Sequence, residues 1–156
     1  MITPDAACIA VDPNLAVIID DDAKVRDFIA AALLQLGMQV ASFQSGQEAL
    51  ASLDDVQPAV IFLDVALLQS DAIDVLRGLG ERRYGGVVQL MSGGRPSLLE
   101  AIQRIGVRHG IKQAPPLNKP LAREVIAQLI ANLDVRKTAA SKQREPAARS
   151  LPVSGR

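Results

Sequence analysis

Short, fully apolar runs alternate along the chain with stretches in which apolar positions recur every three or four residues. LAVII (15–19) is a run of the first kind. It ends in three carboxylates, Asp20, Asp21 and Asp22, and predicts a strand buried on both faces. In the next stretch Val25, Phe28, Ile29, Ala32, Leu33 and Leu36 fall on one helical face, with Gly37 where a helix-ending glycine belongs. QVASF (39–43) predicts a second strand, and Ser45 with Glu48 a capping box opening a helix through about Leu53. The alternation then repeats. AVIFL (59–63), preceded by Pro58, ends in Asp64; a loop leads to a helix around Ile73–Leu79; GVVQLM (86–91) is a fourth strand. Pro96 suits a first helical position, Ser97 and Glu100 offer a second capping box, and the helix reaches about His109. IKQAPPL (111–117) is a weaker extended stretch before Lys119 and Pro120. Leu121, Val125, Ile126, Leu129, Ile130 and Leu133 pattern a last amphipathic helix.

Five strands alternating with five helices predict an α/β fold, a doubly wound parallel sheet with helices on both faces. On such sheets ligands bind beyond the C-terminal ends of the strands, where the strand order switches. The residues in that position are Asp20–Asp22, Asp64, Ser92 and Lys119, and all are polar.

Composition adds one point that the pattern does not. The chain of 156 residues carries 17 basic and 17 acidic side chains, yet residues 1–135 hold 11 basic against 16 acidic residues, a net of −5. Residues 136–156 hold six basic residues and Glu145, a net of +5, in a Lys-, Arg-, Ser-, Ala- and Pro-rich tail that predicts disorder. That tail has no helix-turn-helix pattern and no aromatic interleaving, so no DNA binding is expected. The lone Cys8 excludes an intrachain disulfide, and the start lacks the charge and apolar pattern of a secretory signal. No apolar run reaches the length of a membrane span, and a cytoplasmic protein is expected. The division expected is an N-terminal extension (1–13), a folded domain (14–135) and the basic tail (136–156).

Asp20, Asp21 and Asp64 converge at one end of the predicted sheet. Carboxylates that close repel and take up protons unless a cation sits among them, and oxygen-only ligation favours Mg²⁺. Lys119 adds a positive point charge and Ser92 a short hydroxyl. Cations around a carboxylate nucleophile are what an incoming phosphoryl group needs. The chemistry expected is acyl phosphate formation on an aspartate.

IIDDD, IFLDVALLQSDAIDVL, VVQLMS and LNKPL, in that order, resemble the motifs of response-regulator receiver domains of two-component signalling. The resemblance covers about residues 14–134. It implies a flavodoxin-like sheet in strand order 2-1-3-4-5, with Asp64 as phosphoacceptor and Lys119 and Ser92 beside it. Mg²⁺ would be held by Asp20, Asp21, Asp64 and the Ala66 backbone carbonyl. Lys119-Pro120 matches a peptide bond that is usually cis in this family. A sensor histidine kinase or His-phosphotransfer protein is implied as donor, an unknown protein as target, and a homodimer through the face of helix 4, strand 5 and helix 5 as an option. The protein would then be a phosphotransfer recipient, not an enzyme beyond its own phosphorylation and dephosphorylation.

The sequence also departs from that pattern. Leu68 stands where Pro is usual, and Ala72 where Gly is usual, which predicts strain if position 72 needs positive φ. Pro116 replaces the aromatic residue three before the lysine. The long Pro-rich segment before Lys119 is similar to receivers joined to cyclic-di-GMP phosphodiesterase domains. Two other functions fit parts of the pattern. A degenerate receiver would act as a phosphorylation-independent adaptor. An aspartate-nucleophile phosphatase of the haloacid dehalogenase type resembles DxDx[TV], where Asp20-Asp21-Asp22-Ala23-Lys24 ends in Lys24. His109 reads as a capping or solvent-facing residue, and Asp22 as a helix cap.

Overall fold

The structure is a computed structural model that describes residues 10–53, 55–67 and 69–133, without the side chains of 69–71. Cys8, Leu68 and the basic tail, each singled out above, lie outside the described residues. The chain order is β1 (Val11–Ile19), α1 (Ala23–Gln35), β2 (Gln39–Phe43), α2 (Gly46–Ala51), β3 (Gln57–Asp64), α3 (Gln69–Glu81), β4 (Val87–Ser92), α4 (Pro96–Arg108), β5 (Lys112–Gln113) and β6 (Leu117–Asn118). The last element among the described residues is a helix, α5, over 123–133. All pairings are parallel, in the order β2-β1-β3-β4-β5, with β6 also on β4. The expected fifth strand is thus present as two short pieces.

Alternation along the strands fills two apolar layers. Val17, Ile19, Ile61, Leu63, Val88 and Leu90 face Ala49 of α2, Leu53 just beyond it, Leu76 and Leu79 of α3 and Ile102 of α4. Ala16, Ile18, Val60, Phe62 and Met91 face Ile29 and Leu33 of α1 and Ile126 and Ile130 of α5. On α1 the expected stripe is narrower than its pattern: Ile29, Ala32 and Leu33 are buried, while Phe28 and Leu36 stay partly open to solvent.

Several local expectations change. β1 begins at Val11, inside the stretch expected as an extension, because Val11 and Asp12 pair with Gln57 and Pro58. Pro13 is accommodated by a register shift between Asp12 and Ala16, and the Asn14 amide donates to the Asp12 carboxylate. Ser45 caps α2 by accepting the Glu48 amide. The capping box at Ser97 and Glu100 does not form. Ser97 already lies inside α4, whose N-cap is Arg95 with no side-chain cap bond. Ala72 sits within α3, fully buried, and is not among the residues with positive φ, so the strain expected there does not arise.

The sheet end opposite the three acids is closed by a buried polar clasp. The Gln57 side chain donates to the Arg82 carbonyl and accepts the Gly85 amide, and the Tyr84 hydroxyl donates to the Pro58 carbonyl at 2.7 Å. Burial pushes the Tyr84 phenol far above its usual range, so it stays a neutral donor. A Cβ at Gly86 would run into that hydroxyl and the Pro58 carbonyl. Gly86→Ala is therefore expected to destabilise by about 1–3 kcal/mol, read as a lower denaturant midpoint with unchanged m-value.

Candidate functional site

Each polar residue beyond the strand ends is placed by the strand it follows. Asp20 continues β1, and its amide donates to the Phe43 carbonyl, which ties the acidic turn to β2. Its side chain is fully buried. Oδ1 accepts the Asp22 amide at 2.9 Å, Oδ2 accepts Lys119 Nζ at 2.7 Å, and its backbone carbonyl accepts the Arg26 guanidinium at 2.6 Å. Asp22 does cap α1, accepting the Lys24 amide. Asp21, between them, is exposed.

Asp64 ends β3 opposite Met91 of β4 and is 2% exposed. Its Oδ1 accepts the Ala66 amide at 2.9 Å, and its Oδ2 lies 3.2 Å from Lys119 Nζ. One carboxylate oxygen each from Asp20, Asp21 and Asp64 lies within 4.8 Å of the others. Lys119 is delivered by β6: its amide donates to the Ser92 carbonyl at 2.8 Å, and the Lys119-Pro120 bond is cis. Ser92 is buried at the end of β4, and its Oγ accepts the Gly94 and Arg95 amides, both at 3.4 Å. The structure therefore brings Asp20, Asp21, Asp64 and Lys119 together, with Ala66 on the turn after β3 and Ser92 at the end of β4. His109 is the C-cap of α4 and lies outside this cluster.

The electrostatics are those of an overcrowded acid site. Burial, more than any neighbour, raises the Asp64 carboxyl above its ordinary range; Asp20 raises it further, while the Ala66 amide and Lys119 pull it down. For Lys119 burial works against the charged form, but the Asp20 and Asp64 carboxylates outweigh it and hold the ammonium above its usual value. One lysine thus bridges two buried acids, with the third, Asp21, open to solvent beside them. The donor set is all oxygen, compact and partly open at Asp21, which suits a hard divalent cation such as Mg²⁺.

Two contacts at or near this cluster involve residues that motif reading did not single out. Arg26 ties down the acidic turn, and its signal was its place one helical turn after Asp22. Gln89 bridges β4 and the split edge strand, and its signal was a lone polar residue inside the apolar run VVQLM.

Fold and site together match a known family. Residues 16–131 match the response regulator receiver domain. The chain belongs to that family. Among curated proteins this receiver is 33% identical over 69 residues to the transcriptional regulatory protein TrcR of Mycobacterium tuberculosis, a match that spans 44% of this chain and 27% of that protein. Among solved structures it is similar to a response regulator from Colwellia psychrerythraea, at 26% identity and a TM-score of 0.66, covering 80% of this chain and 99% of that one. A CheY-like receiver domain protein from Methanospirillum hungatei shares the fold at 19% identity and a TM-score of 0.67, covering 81% and 98%. The expected strand order 2-1-3-4-5 is the order observed. The narrower likeness to phosphodiesterase-linked receivers rests on the sequence alone.

Proposed function

We propose that this receiver accepts a phosphoryl group on Asp64, with Mg²⁺, from a histidine kinase or phosphotransfer protein, and signals by the conformational change that follows. The observation that carries the reading is Lys119 Nζ held between Asp20 Oδ2 and Asp64 Oδ2, with Asp21 completing the acid cluster. A carboxylate oxygen of Asp64 attacks the donor phosphorus as the donor's P–N bond breaks and the histidine nitrogen leaves with the electron pair. Asp20, Asp21, Asp64 and the Ala66 carbonyl would hold Mg²⁺, and the ion would supply positive charge to offset that on the transferring phosphoryl oxygens. Lys119 already touches the attacking carboxylate and supplies a second positive charge at the same place. Ser92 gives up only two long contacts if its hydroxyl turns from the Gly94 and Arg95 amides toward a new phosphoryl group.

The phosphatase reading lacks its second acid: the Asp22 carboxylate is engaged in capping α1. An adaptor that ignores phosphate has no use for a cluster whose burial makes Asp64 costly to ionise. Beryllofluoride with Mg²⁺ is expected to shift backbone amide resonances of the acidic turn, the Ala66 turn and residues 92–95. An unchanged spectrum would remove the reading.

The donor's route to Asp64 also has a physical marker. A recess of about 270 Å³ beside Lys119 is lined by Lys24, Val25, Phe28, Pro120 and Leu121, and Phe28 remains 38% exposed. Exposed aromatic surface beside a reactive group suits a protein donor. Phe28→Ala is expected to slow transfer from a phosphorylated His-phosphotransfer protein by about tenfold and to leave phosphorylation by acetyl phosphate unchanged. Equal slowing of both reactions would rule out the recess as a docking point.

A further inference from the structure

Gln89 is 1% exposed in the middle of β4, on the face it shares with Val87 and Met91. A buried amide there is costly unless its hydrogen bonds are made. Its Nε2 donates to the Pro115 carbonyl at 2.7 Å and to the Leu90 carbonyl at 3.2 Å. Both acceptors lie where the edge strand is interrupted.

The interruption has a definite register. Val88 pairs with Gln113, but Met91 pairs with Leu117, so three residues of the edge (Ala114, Pro115, Pro116) oppose two of β4. The Ala114 amide donates to the Val88 carbonyl, and the Lys119 amide to the Ser92 carbonyl. In an unbroken parallel ladder the donor two residues after Ala114 faces the carbonyl two residues after Val88. That donor would be Pro116, which has no N–H, and that carbonyl is Leu90. The extra residue also decides which side chain follows. Without it the Asn118 amide, in place of that of Lys119, would reach the Ser92 carbonyl, and Lys119 would point to the other side of the sheet.

We propose that Gln89 is a positioning residue: its amide replaces the main-chain donor missing at Pro116, holds the one-residue bulge, and so fixes Lys119 between Asp20 and Asp64. The consequence for phosphoryl chemistry rests on the function proposed above, whereas the placement of Lys119 does not.

Amide hydrogen exchange on the full chain separates the two. Gln89→Leu fills the same space without a donor. It is expected to speed exchange of the Ala114 and Lys119 amides by about tenfold or more, with β1 and β3 amides near wild type. Beryllofluoride affinity at saturating Mg²⁺ is expected to fall by about tenfold, the ion pair to Lys119 being loosened. Pro116→Ala returns an N–H opposite Leu90. In that background Gln89→Leu is expected to bring Lys119 exchange back to within about threefold of Pro116→Ala alone. Unchanged Lys119 exchange in Gln89→Leu, equal acceleration across all strands, or absence of rescue by Pro116→Ala would each overturn the proposal. Should Gln89→Leu alone not fold, the comparison within the Pro116→Ala background decides it in the same way. If the wild-type chain fails to bind beryllofluoride, the phosphoacceptor reading falls, and hydrogen exchange alone judges Gln89.

Discussion

Lys119→Ala is expected to lower both stability and phosphoryl acceptance, and no other substitution at the site is expected to do both. Without the ammonium, the fully buried Asp20 and the nearly buried Asp64 face each other with no positive partner at 2.7 and 3.2 Å. Removing one member of a buried charge pair costs about 3–5 kcal/mol. Lys119 keeps some solvent contact, so a loss of about 2–4 kcal/mol is expected at neutral pH without divalent cation. Linkage gives the sign: the lysine is held above its ordinary value, so its contribution is present below that value and lost as pH rises through the folded pKa. The variant and the wild type should therefore converge in stability at strongly alkaline pH. Added Mg²⁺ should recover part of the loss in the variant, since a cation bound by the same carboxylates replaces the missing charge. The rate of phosphorylation by acetyl phosphate is expected to fall by roughly 10²–10³-fold, the scale of removing one preorganised electrostatic contact.

Asp64→Asn is expected to act in opposite directions on stability and on chemistry. Burial raises the Asp64 carboxyl above its unfolded value, so the ionised side chain is a cost to the folded state that grows as pH rises from the ordinary carboxylate value of 3.8 through the folded pKa. An amide of the same size removes that charge and eases the repulsion with Asp20. A gain of about 1–3 kcal/mol is expected at neutral pH, equivalent to a rise in Tm of roughly 3–10 °C for a chain of this size. The gain should shrink toward zero as pH falls below the carboxylate range, and also shrink on adding Mg²⁺ to the wild type. A pH series of thermal melts checks both trends; a pH-independent difference would place the effect in packing instead.

The fold and the acid cluster were legible because they follow from periodicity and from strand ends. LAVII, AVIFL and VVQLM are buried on both faces, and each is followed by the polar residue that the topology then gathers. Gly37 takes positive φ at the end of α1, as its position implied. The edge strand was legible only as a weak extended stretch; its split into two pieces was not, since its register is set by hydrogen bonds between Gln89, Leu90 and Pro115 and not by any repeat of apolar positions. The start of β1 was hidden by Pro13, which breaks the alternation while a bulge lets Val11 and Asp12 pair beyond it. Ser97 and Glu100 had the spacing of a capping box, but the helix begins at Pro96 with Arg95 as its N-cap, and Ser92 takes the loop amides instead. Ala72 needed no glycine because α3 starts before it and its methyl packs into the core.

The most direct test is to locate the phosphoryl group. The chain is incubated with Mg²⁺ and acetyl phosphate, its intact mass is measured, and the acyl phosphate is reduced with borohydride for peptide mapping. The result expected is a single added phosphoryl group, mapped to Asp64, absent in Asp64→Asn and strongly reduced when Mg²⁺ is chelated. No mass increase, or one that maps to another residue and survives Asp64→Asn, would contradict the assignment of Asp64 as the acceptor.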